Sequence, residues 1–166
     1  MTRQLPVAFQ DQYADDVAHC YGCGRLNPSG HQLKTRWDGD EAVTRFTPQP
    51  YHTAIPGYVY GGLIASLIDC HGTGTAAAEA ARSDRQAGGR RDPPQQLPRF
   101  VTASLHVDYL RPTPLGPELE IRGRAREVTE RKIVVDARVL ANGQVTARGT
   151  VVAVRMPEKM VAPDQG

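Results

Sequence analysis

A chain of 166 residues, 40% apolar and 23% charged, has the makeup of one globular domain with a sizeable core. A net charge of +2 and an aromatic content of 6% exclude a nucleic-acid surface built on basic patches or stacking rings. Three cysteines, an odd count, make no disulfide framework. The N-terminus has no apolar signal segment and no run approaches the roughly 20 residues of a membrane span, so the expected location is cytoplasmic.

Residues 1–18 read as a polar N-terminal segment with a short helix around Gln10–Ala18. His19 to Gly30 is dense in turn residues and reads as a loop. Leu33–Trp37 and Ala42–Phe46 flank Asp38-Gly39, a two-residue hairpin signal. After a proline-bearing lead, Gly62 to about Ala81 is the one long helix-compatible stretch, and residues 83–98 form a long polar, basic loop. From Phe100 the apolar period switches to two, with strands over 100–109, 119–128, about 133–139 and 145–154. Asn142-Gly143 closes a type I′ hairpin between the last two, and 157–166 reads as a flexible tail. A hairpin, one long helix and then strands in short antiparallel connections make an α+β protein with an antiparallel sheet.

The helix is apolar or small on every side except for one early carboxylate, Asp69. Such a helix is buried all round, and a buried carboxylate needs a partner or a task. Gly61 and Gly62 stand at its start, and a helix N-terminus offers free N–H groups that can hold the oxyanion of an attacked acyl carbonyl. Tight packing of the turn explains the glycines equally well. Asp69 lies eight residues beyond Gly61, about 12 Å along a helix, so the two cannot serve one carbonyl within a chain. Two antiparallel copies would bring one chain's Asp69 to the other's glycine turn, which requires a two-fold dimer. The alternative is a structural Asp69 bonded to backbone or hydroxyl groups, such as Ser66 or Thr73 one turn away. His71 points to the other side of the helix and reads as a core or interface residue. Cys70 reads as packing.

Cys20 and Cys23, with His19 and His31 nearby, hint at zinc, but one pair falls short of a four-ligand set. No metal or redox cofactor is expected, and the reading there is loop structure.

Cys20-Tyr-Gly-Cys-Gly-Arg-Leu-Asn-Pro-Ser-Gly30, then Pro56-Gly-Tyr-Val-Tyr-Gly-Gly62 with Asp69 seven residues on, then Val101 to Gly116 with its Tyr-Leu-x-Pro-x-x-x-Gly ending, resemble in that order the hotdog-fold acyl-CoA thioesterases of the phenylacetyl-CoA-thioesterase-like group. The resemblance spans most of residues 20–155. It implies a hotdog fold, a long central helix wrapped by a curved antiparallel sheet, with the single domain at 19–156. It also implies a homodimer or dimer of dimers whose site lies between chains. On that resemblance Gly61 and Gly62 hold the oxyanion, Asp69 is general base or nucleophile, and Thr102 helps to position water. Tyr60, Ser66, Arg111, Arg131 and Lys132 would contact substrate, the basic ones through the CoA phosphates. CoA is then part of the substrate rather than a cofactor. Two positions depart from the family pattern: Tyr60 stands where relatives have histidine, and Ala54 where some have asparagine. The expected function is hydrolysis of a fatty or aromatic acyl-CoA, with a non-catalytic acyl-CoA-binding protein as the alternative and a hydratase disfavoured by the lack of an Asp–His pattern.

Overall fold

A computed structural model describes residues 6–88 and 96–160. Residues 89–95 of the loop expected at 83–98 and 161–166 of the tail expected at 157–166 therefore lie outside the described residues, and the start of that tail, Glu158–Met160, is a 3-10 turn. Strands β1 (Thr35–Asp38) and β2 (Glu41–Phe46) form the first hairpin. Gly39, at φ +62°, and Asp40 make its turn, because Asp38 already pairs with Glu41. The turn thus sits one residue later than Asp38-Gly39 suggested. The expected helix over 10–18 is instead two 3-10 turns, Phe9–Gln12 and Asp15–Val17.

Helix α1 spans Gly61–Gly88, beginning one residue before Gly62 and continuing past Ala81. The apolar pattern stops at Ala81, but Arg82 to Ala87 contains no helix breaker, so propensity carries the helix on into solvent. Arg82 lies over the Trp37 ring at 3.7 Å, tying this extension to the first hairpin.

The remaining strands are β3 (Phe100–Tyr109), β4 (Leu119–Val128), β5 (Lys132–Ala141) and β6 (Gln144–Arg155). Asn142 and Gly143, at φ 50° and 76°, make the turn between β5 and β6 as their chemistry dictates. One six-stranded antiparallel sheet results, in the order β1-β2-β4-β5-β6-β3, wrapped around α1. This is the hotdog arrangement that the resemblance implied.

Fifteen residues of α1 are buried, among them Leu63, Ile64, Leu67, Ile68 and the alanines 76–78. They pack on Ile121, Val135, Val139 and Val151 from the concave face of the sheet. Helix and sheet approach closely at Gly72, where an added Cβ would lie 2.5 Å from a Val151 methyl. That approach is why the middle of the helix is glycine, alanine and threonine rather than leucine.

His71 is a core residue. Its Nδ1 bonds Thr44 Oγ1 at 2.8 Å, which meets Thr35 Oγ1 at 2.7 Å, and Gln10 Nε2 donates to Thr35 Oγ1 at 2.8 Å. This buried chain joins the N-terminal turn, the first hairpin and α1. Full burial pushes the His71 pKa down from 6.5 to about 3. Below the unfolded value of 6.5 the unfolded chain takes up a proton that the folded chain refuses, so stability falls as pH drops from 6.5 towards 3. From pH 7 to pH 5 this costs about 2 kcal/mol. Urea denaturation should show His71→Gln losing that much less stability than wild type over the same interval. Asp69, whose raised pKa acts in the opposite sense, is common to both proteins. Equal losses would contradict the assignment.

Candidate active site

Asp69 emerges from α1 where the helix passes under β3. Its side chain is half-buried, and Thr102 Oγ1 on β3 donates a hydrogen bond to Asp69 Oδ1. The partner is a hydroxyl, as the structural alternative expected, but from β3 rather than from the helix: Ser66 makes no hydrogen bond to the carboxylate, and Thr73 Oγ1 donates to the Asp69 main-chain carbonyl at 3.2 Å. Thr102 reaches the carboxylate because β3 carries a bulge between Thr102 and Ser104, which re-aims the strand just beside the acid. Burial raises the Asp69 pKa above 3.8; the Thr102 bond and Arg99 pull against it, and the Cys20 sulfur adds to it. The carboxylate is thereby made more basic while one oxygen is fixed and the other left free.

Removing the Thr102 hydroxyl takes away a bond that favours the charged carboxylate. For Thr102→Val the acidic limb of the kcat/KM profile, where activity falls as Asp69 protonates, should move to higher pH. Thr102→Ser should restore its position. Unchanged limbs in both variants would remove Thr102 from the site.

The other end of the site is the start of α1. Leu63 and Ile64 donate to the Tyr60 carbonyl at 3.1 and 3.3 Å. Among the described residues the Gly61 and Gly62 amides have no acceptor, and Gly62 is exposed. Two free N–H groups at the positive end of a 28-residue helix are the kind of donors that can hold an anion. The lead-in is held by Val59 N–H to the Thr113 carbonyl and Tyr60 N–H to the His52 carbonyl, both 2.9 Å. The Tyr60 ring folds against Gly62, where an added Cβ would meet a ring carbon at 2.4 Å. Tyr109 Oη donates to the Gly61 carbonyl at 2.7 Å, a contact the strand pattern of β3 did not reveal.

These contacts set α1 and β3 antiparallel, with Gly61 beside Tyr109 and Asp69 beside Thr102. Within a chain the two ends of the site stay about 12 Å apart along the helix. Among the described residues strand β3 pairs only with β6, so its outer edge is open there. An inward-facing alternation was expected for Val101, Ala103, Leu105, Val107 and Tyr109, yet most of the strand is exposed. Tyr58, Tyr60, Leu105, Tyr109 and Leu110 each expose between 38% and 57% of their surface along this edge. The period-two reading presumed an unbroken strand fully covered on one face; α1 lies under β3 but covers it only in part, and the bulge after Thr102 interrupts the alternation.

The basic positions fall at two ends of the sheet. Arg111 follows β3, and its Nη1 donates to the Val145 carbonyl at 3.2 Å. Arg131 and Lys132 sit at the β4–β5 hairpin, where Lys132 pairs with Glu127 at 2.8 Å. Ser66 lies under the Cys20–Cys23 loop, 3.6 Å from where a Gly22 Cβ would stand. A single chain thus does not gather Arg111, Arg131 and Lys132 around one carbonyl.

A family model described as Thioesterase superfamily matches residues 56–152, which includes the glycine turn, α1 and the strands through β6. A crystal structure of a thioesterase superfamily protein from Shewanella loihica is 49% identical, with a TM-score of 0.65, over 86% of this chain and 98% of that one. The PaaI protein of the E. coli phenylacetic acid degradation operon is 17% identical with a TM-score of 0.59, over 76% of this chain and 81% of that one, a likeness of fold. Among curated proteins, the acyl-coenzyme A thioesterase THEM4 of Xenopus laevis is 32% identical over 97 residues, 58% of this chain. The chain spans 36% of that relative's length.

Proposed function

The chain belongs to the thioesterase superfamily, and from that premise we propose that it hydrolyses an acyl-CoA thioester at a site shared between two copies. The observation that carries this is the pairing of a half-buried, hydroxyl-anchored Asp69 with an unfilled helix N-terminus on the same α1. General base and oxyanion donors are the two groups that hydrolysis of an acyl carbonyl needs.

Pairing two β3 edges antiparallel about the midpoint between Leu105 and His106 sets Thr102 of one chain opposite Tyr109 of the other. Asp69 stands with Thr102 and Gly61 with Tyr109, so the same register brings the acid of one copy to the glycine turn of the other. It covers the exposed apolar side chains of β3 and satisfies its open backbone groups. It also turns the Arg111 end of one chain towards the Arg131 and Lys132 end of its partner, which favours a CoA phosphate arm lying across the seam.

In the proposed reaction the thioester carbonyl oxygen rests on the Gly61 and Gly62 amides. Asp69 Oδ2 takes a proton from water, which adds to the carbonyl carbon while Thr102 holds Oδ1. The tetrahedral intermediate then breaks its C–S bond and expels the CoA thiolate, which takes the proton from Asp69 and restores the carboxylate. Every step runs on side chains, backbone and water, with no cofactor. The fatty or aromatic nature of the acyl group is set by the exposed aromatic band of Tyr58, Tyr60 and Tyr109 together with Leu110. The test is thiol release over a panel of aliphatic and aromatic acyl-CoA esters. Turnover abolished in Asp69→Asn supports hydrolysis. Binding of the esters without turnover by wild type would instead make the protein an acyl-CoA-binding module, the reading that the departures at Tyr60 and Ala54 favour.

A further inference from the structure

All three cysteines converge beside Asp69. The sulfurs of Cys20, Cys23 and Cys70 lie within 4.8 Å of one another, and Cys20 Sγ is 3.8 Å from Cys70 Sγ across 50 residues of sequence. The loop is shaped around them: a Cβ at Gly22 would lie 2.3 Å from Cys70 Sγ, so only glycine lets the loop seat on the helix there. Cys23 and Cys70 are buried, whereas Cys20 is partly exposed. Arg99, the residue before β3, is close enough to act on all three sulfurs and forms no ion pair with a carboxylate among the described residues. Its guanidinium stacks on the ring of buried Tyr13 at 4.7 Å. A half-buried cation with sulfurs for neighbours favours one of them as thiolate.

We propose that Cys20 and Cys70 are a hydroperoxide-oxidisable pair, and that the disulfide they form switches off the site at Asp69. Hydrogen bonds from the Cys23 and Cys70 thiols and from the Gly22 and Cys23 amides hold Cys20 well below the usual thiol range. Cys23 is pushed up to about 12, chiefly by its bond to Cys20, and Cys70 is raised as well. One partly exposed thiolate beside a buried thiol is the arrangement of an attacking and a resolving cysteine.

The Cys20 thiolate attacks one peroxide oxygen, the O–O bond breaks, and the departing hydroxide leaves as water after taking a proton. Cys20 is then a sulfenic acid. The Cys70 sulfur attacks Cys20 Sγ, the S–O bond breaks, and the hydroxide leaves with the Cys70 proton as a second water. Two thiols are oxidised and one hydroperoxide is reduced. The sulfurs must close from 3.8 Å to roughly 2.05 Å, drawing loop and helix together at the residue next to Asp69. A displacement of that size beside a general base lowers turnover about tenfold or more.

The effect on activity rests on the Asp69 reading, while the bond itself does not, and mass spectrometry separates the two. Wild-type protein treated with hydrogen peroxide, alkylated and digested without reductant should give a Cys20–Cys70 linked peptide and reduced activity that dithiothreitol restores. Cys20→Ser should give no linked peptide and keep its activity in peroxide, and Cys70→Ala should give a sulfenic or further oxidised Cys20. Three free thiols after peroxide, a Cys20–Cys23 link in place of the proposed one, or thiols shielded by zinc in the purified protein would each overturn the pair. Equal inactivation of Cys20→Ser and wild type would overturn the switch.

Discussion

Asp69→Asn is expected to lower kcat for thioester hydrolysis by about 10³-fold, in the range a positioned general base supplies. The substitution keeps the shape of the side chain and can still accept the Thr102 hydrogen bond. It also removes a charge whose burial is unfavourable, since burial is the main cause of the raised Asp69 pKa. Folding stability should therefore hold or rise, and the loss reads as chemistry. Urea denaturation beside steady-state kinetics separates the two. A variant that keeps most of its kcat would take Asp69 out of the reaction.

Gly62→Val is expected to cost about 10²- to 10³-fold in kcat, the loss associated with removing an oxyanion donor. The added Cβ falls on the outer part of the Tyr60 ring, at 2.4 Å from its nearest carbon. Tyr60 is exposed and able to swing away. The helix start thus survives, while the branched side chain covers the Gly62 amide. Loss confined to KM would show that the turn binds substrate and leaves the transition state alone. Loss in kcat with a stable fold identifies the amide as a donor to developing charge.

How much of this was legible in the residues depended on where the burial came from. Strands β4, β5 and β6 and the Asn142-Gly143 turn follow from period and turn chemistry, because their own chain covers them on one face. The helix was readable as to its buried part. Its last seven residues were not, because Arg82 to Gly88 stays helical without an apolar stripe. Strand β3 misled in the opposite direction. Its alternation of apolar side chains is real, but in one chain Ala103, Leu105 and Tyr109 are exposed and Val101 and Val107 only partly buried.

At the site, Asp69 stood out as the lone carboxylate of a buried helix, and the interval to Gly61 already pointed to the proposed second chain. The Tyr109 bond to the Gly61 carbonyl and the convergence of Cys70 with Cys20 and Cys23 were out of reach, because each joins residues about 50 apart whose proximity only the fold creates. The pair Cys20-x-x-Cys23 looked incomplete because its third member sat in the helix, read there as packing.

The central claim is that each site takes its acid from one chain and its oxyanion donors from the other. Differently tagged Asp69→Asn and Gly62→Val chains, co-expressed and purified through both tags, test it in one assay. In the mixed dimer one site carries both lesions and the other carries neither. The prediction is recovery to about half the wild-type rate per dimer, although each parent homodimer is nearly inactive. A mixed dimer no more active than its parents would mean that each chain's turn serves its own Asp69, and would contradict the shared site.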